Sequence, residues 1–126
     1  EVNVKIAKDT VTYFIKDFDI NVNIDEISKI IDATQYPYVI PATELSLKQQ
    51  IMRDADLMQV LEYNWLQQNI LGIAQELGLD FETMLKGQRK FLESVKFNTT
   101  WGLFWQNQRW SKVLKNLTRL EEFYYI

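Results

Sequence analysis

The sequence predicts an all-α protein, a bundle of about five helices, on three observations. Apolar residues recur at three- and four-residue steps through most of the 126 residues, and Gly and Pro are few, at 4 and 2. Residues suited to helix caps stand before several of the periodic runs. The composition, 47% hydrophobic and 25% charged, fits a single helical domain over residues 1–126 rather than a disordered or fibrous chain.

Each element follows from its residues. Val4, Ala7, Val11, Phe14, Ile15 and Phe18 share one stripe and predict a first helix over 2–18. The segment Asp19-Ile20-Asn21-Val22 is a tight connection to Asn23, which has capping-box spacing to Glu26 and opens a short helix reaching Ala33. From Thr34 to Thr43 two prolines, Pro37 and Pro41, and the residues before them resist helix formation, so this is a loop. Ser46 with Gln49 restarts the helical pattern. With no Gly or Pro until Gly72, the spacing predicts one long helix to Leu77, closed by Gly78. Asp80 caps a fourth helix with Phe81, Met84, Leu85, Leu92 and Val95 inside, and Asn98, Thr99 and Thr100 offer caps for a last helix over 101–122. The aromatics Phe97, Trp101, Phe104, Trp105 and Trp110 read as core of that last region, with a ligand-stacking surface as the alternative.

Composition also limits chemistry. The chain has no Cys and no His, so thiol nucleophiles, disulfides, imidazole bases and imidazole metal ligands are excluded from these residues. The lack of Cys suits a reducing compartment and a cytoplasmic location. A net charge of −3 argues against binding to a nucleic-acid backbone, and no apolar run is long enough to span a bilayer. A homo-oligomer is one expected form of the protein.

The most informative stretch is Ile51-Met52-Arg53-Asp54-Ala55-Asp56-Leu57-Met58, with two carboxylates in an otherwise apolar helical pattern. Two residues along a helix turn a side chain by about 200°. Asp54 and Asp56 therefore diverge and do not chelate one ion together; one is the candidate ligand, or one caps or pairs with Arg53 or Lys48 while the other faces water. Arg53 is a candidate for substrate phosphate, with a surface or intrahelical ion pair as the favoured alternative. Tyr36 and Tyr38, in the Pro loop, could wall a ligand pocket or pack on the protein's own core. Lys86, Arg89 and Lys90 could sense an anion or simply form a solvated face.

The segment from Ile27, with Ile-Ser-Lys-Ile-Ile-Asp-Ala-Thr, a Pro-containing loop and Ile-Met-Arg-Asp-Ala-Asp-Leu, resembles the second half of the HD-domain superfamily of metal-dependent phosphohydrolases. The resemblance continues in Gln88-Arg89-Lys90-Phe91-Leu92 and Phe97-Asn98-Thr99-Thr100-Trp101-Gly102. It implies the C-terminal part of an HD-domain-like fold, with Asp56 as the last metal ligand, Asp54 beside it, and Thr34 at a helix end near the metal. Arg53 would be close to substrate. Implied too are a divalent ion (Mn, Mg, Fe or Zn) and a small phosphorylated substrate, with nucleotides among the candidates, attacked by metal-activated water.

The defining His and His-Asp pair of that superfamily are absent here, and Gln35 and Tyr36 stand where some members carry a His for a second metal. The expectation is that N-terminal helices of the same protein, ahead of Glu1, supply the missing ligands, with Glu1 matching a Glu that follows the His-Asp pair. No catalytic residue is then expected within this segment. The alternative is a degenerate scaffold serving as a helical interaction or regulatory module.

Overall fold

The computed structural model describes residues 2–125, and the described residues are helical with no strand. Glu1, matched above to a family Glu, lies outside them. The all-α class expected from the periodicity is present. Contacts within the chain gather into two compact units, and the division falls between Asp56 and Leu57.

The first unit holds α1 (Val2–Asp17), α2 (Ile24–Asp32), a 3-10 turn (Ala42–Glu44) and most of α3 (Leu47–Leu57). α1 packs on α2. The Asn23 side chain accepts a hydrogen bond from the Glu26 N–H at 3.1 Å, as the spacing predicts, while the Glu26 carboxylate pairs with Lys48 of α3. Ser46 and Gln49 cap reciprocally: the Ser46 N–H donates to Gln49 Oε1 at 2.9 Å, and the Gln49 N–H donates to Ser46 Oγ at 3.3 Å. α1 ends in a Schellman closure, in which the Ile20 N–H donates to the Ile15 carbonyl at 2.9 Å and Asp19 takes φ 49°. The apolar stripe expected on α1 is only partly inside. Ile15 is buried, but Phe14 and Phe18 are 49% and 65% exposed and stack on each other at 5.8 Å.

The second unit holds a 3-10 turn (Met58–Leu61), α4 (Trp65–Gln67), a π-helical segment (Gln68–Ile73), α5 (Ala74–Leu77), α6 (Phe81–Ser94) and α7 (Thr100–Tyr124). Leu57, Val60, Leu61, Trp65, Ile70, Leu85, Leu92 and Leu117 are among its buried residues. α7 packs on the 3-10 turn and on α6, and α6 packs on the π segment. Gly78 takes φ 64°, and the Leu79 N–H reaches the Ala74 carbonyl at 2.9 Å, the second Schellman closure. Asp80 and Thr99 cap α6 and α7 through the N–H groups of Thr83 and Gly102.

Two sequence expectations are corrected here. The single long helix to Leu77 is broken: α3 passes into the 3-10 turn, Glu62 is extended, and helix resumes at Trp65. An uninterrupted α-helix would carry the stripe Leu57-Leu61-Trp65 on to Gln68 and Gly72. The π turns instead bring Ile70 and Ala74 inside, five and four residues apart, near the 4.4-residue π period. Nor is the aromatic run uniformly core. Gly102, Val113 and Leu117 set the buried stripe of α7, and Trp101 and Phe104, displaced from it by about 100° and 200°, are 57% and 54% exposed.

Candidate functional site

The loop after α2 is held by α3. Arg53 is only 3% exposed; its Nε donates to the Ala33 carbonyl at 2.8 Å and its Nη2 to the Ile40 carbonyl at 3.0 Å. The guanidinium lies 4.0 Å from the centre of the Tyr38 ring. Arg53 is thus a clamp on the Pro loop, with two of its donors on backbone carbonyls. Burial lowers its pKa, and Tyr38 and Asp54 oppose that effect.

Asp54 and Asp56 diverge as the helical rotation requires. Asp54 is 1% exposed, whereas Asp56 reaches the surface and lines a pocket of about 360 Å³ with Asn3, Val4, Thr34, Gln35 and Tyr36. The pocket therefore joins the aspartate predicted as ligand to the threonine predicted near it. It also joins both to the first turns of α1. Thr34 Oγ1 donates its proton to the Ile31 carbonyl at 2.8 Å, which leaves the oxygen lone pairs as acceptors. Crowding by neighbouring atoms pushes the Asp56 pKa above the ordinary carboxylate value. Of the two loop tyrosines, Tyr36 lines this pocket and Tyr38 packs against Arg53.

A carboxylate, a hydroxyl and side-chain amides are hard oxygen donors that fit a divalent cation such as Mg or Mn. Among the described residues no three His, Cys, Asp or Glu side chains come together to hold an ion. Of the residues that line the pocket, Asp56 is the charged one.

Two members of the basic run in α6 are held in ion pairs. Lys86 pairs with Glu82, and Arg89 reaches Glu121 and Thr118 of α7. A different basic feature escaped sequence reading: residues 94–120 contain Lys96, Arg109, Lys112, Lys115 and Arg119 and no carboxylate. Mapping charge by segment, rather than summing it, exposes this asymmetry.

Comparison with known protein families, characterised proteins and solved structures gives no match. No described helix is long and apolar enough to cross a membrane.

Proposed function

We propose that this chain supplies the aspartate-bearing part of a metal-dependent phosphohydrolase of the HD-domain kind, acting on a small phosphate ester in the cytoplasm. The observation that carries the reading is the pocket shared by Thr34 and Asp56 with the first turns of α1. Asp56 would bind the ion, Asp54 lies buried behind it on α3, and Arg53 holds the loop that carries Thr34 and Tyr36 against that helix. A bound divalent ion would supply a water acidified enough to attack phosphorus.

α1 lends support because it is apolar on two faces. Val2, Ile6 and Tyr13 fall on one stripe, 71%, 57% and 63% exposed, opposite the face that carries Ile15. A helix apolar on both sides suits a position inside a larger body, where further helices would bring imidazole ligands to the pocket. The same outer stripe is the one feature that favours the second reading, an interaction or regulatory module.

The test is metal content and phosphatase activity of the natural-length protein, with and without Asp56→Asn. The proposal expects about one equivalent of divalent metal per site and loss of both metal and turnover in the variant. Unchanged metal and activity would overturn it. The 126 residues alone should hydrolyse no phosphate ester, because one carboxylate does not retain a catalytic ion.

A further inference from the structure

The second unit carries a cationic groove that shares no residue with the Asp56 pocket. One cavity of about 310 Å³ is lined by Glu62, Tyr63, Arg109, Lys112 and Asn116. A second of about 340 Å³ shares Tyr63 and Asn116 and continues over Leu66, Leu120 and Phe123, with Arg119 beside them. On α7, positions 109, 112, 116 and 119 follow steps of three, four and three, so all four polar side chains line one face.

Charge and ring are arranged for a ligand. The Arg109 guanidinium sits 4.7 Å from the Trp105 ring, and its contact with Glu62 is long, 3.5 Å, between half-exposed side chains. Lys112 and Arg119 have no carboxylate within ion-pair distance among the described residues, and Lys112 lies 5.7 Å from the Tyr63 ring. Tyr63 is 82% exposed where the two cavities meet. An aromatic side chain so exposed, with cations on one side and an apolar wall on the other, offers a flat surface to a flat group.

We propose that this groove binds an aromatic phosphate monoester. Its dianionic head would lie among Arg109, Lys112 and Asn116, and its ring against Tyr63, Leu66 and Phe123. Guanidinium and ammonium donors gain most against a doubly charged phosphate, and the weak Glu62 contact is readily exchanged for it. The cavities have the size of small-ligand sites. The overall charge of −3 disfavours long polyanions, which would meet the acidic remainder of the surface.

Phenylphosphonate, which resists hydrolysis, is the probe, with methylphosphonate and benzyl alcohol as its separate halves. Titrations followed by amide NMR should show saturable shifts centred on Tyr63, Lys112 and Asn116 for phenylphosphonate. Each half should bind at least about tenfold more weakly, a difference of about 1.4 kcal/mol, and Lys112→Gln should weaken phenylphosphonate by a similar factor. Absence of saturable shifts up to about 10 mM, shifts mapping elsewhere, equal binding of methylphosphonate, or full binding by a folded Lys112→Gln variant would each overturn the proposal. Because the groove shares no residue with the Asp56 pocket, shifts that map to Tyr63, Lys112 and Asn116 are independent of whether Asp56 binds metal.

Discussion

Arg53 donates to the backbone carbonyl of Ala33, twenty residues earlier in the chain, at 2.8 Å, and covers the ring of Tyr38 with the same guanidinium. One buried side chain therefore satisfies the end of α2 and the far side of the Pro loop at once. Removing it strands two carbonyls, those of Ala33 and Ile40, without a donor. Arg53→Ala should lower stability by about 2–4 kcal/mol in urea denaturation. Arg53→Lys should recover less than half, because an ammonium cannot span both carbonyls and stack. A loss below about 0.5 kcal/mol for the alanine variant would show that the clamp does not hold the loop.

Tyr38 makes the first unit sensitive to alkali. Burial, reinforced by the nearby carboxylates of Asp56 and Asp54 and opposed by Arg53, raises its pKa to about 12 from a usual 10.0. The folded state then holds a proton that the unfolded chain releases. The contribution is fully present below pH 10 and is lost as pH rises toward 12, by about 1 kcal/mol once solvent screening of the half-buried ring is allowed for. Urea midpoints from pH 8 to 11.5 should fall more steeply for the natural protein than for Tyr38→Phe; parallel curves would contradict the assignment.

In the second unit, Asn69 Nδ2 donates to Gln88 Oε1 at 3.1 Å, and both residues are buried. Asn69→Leu alone leaves the Gln88 oxygen without its donor and should cost about 1–3 kcal/mol. Adding Gln88→Leu should restore most of that loss, since an apolar pair strands no polar group. A double-mutant cycle by thermal unfolding reads the coupling directly, and strictly additive losses would argue that the pair does not interact.

The two Schellman closures differ in one atom group. At Gly78 the left-handed conformation costs no Cβ strain, whereas at Asp19 it does. Asp19→Gly should stabilise by about 0.5–1 kcal/mol, and Gly78→Ala should destabilise by about 1 kcal/mol. Both are read from urea midpoints. A destabilising Asp19→Gly would mean that its side chain supplies more than the backbone strain removes.

Helix ends were legible in the sequence because capping is local chemistry. Asn23, Ser46 with Gln49, Asp80 and Thr99 each bond to an N–H within three residues, and Gly78 closes α5 by its own freedom at φ 64°. The divergence of Asp54 from Asp56 was legible for the same reason, as a rotation along one helix.

By itself, the sequence determined the all-α class, the caps and the absence of imidazole and thiol side chains from these residues. Tertiary structure decided the break after Leu61, the π turns that bring Ile70 and Ala74 inside, the burial of Arg53, and the exposure of Trp101 and Phe104. It also decided that Tyr63 meets Arg109 and Lys112, about 50 residues away, in one groove. The physical reason is range. Caps and helical rotation depend on neighbours within a turn, whereas the phase of a buried stripe and the partners of a buried cation depend on surfaces brought together only by folding.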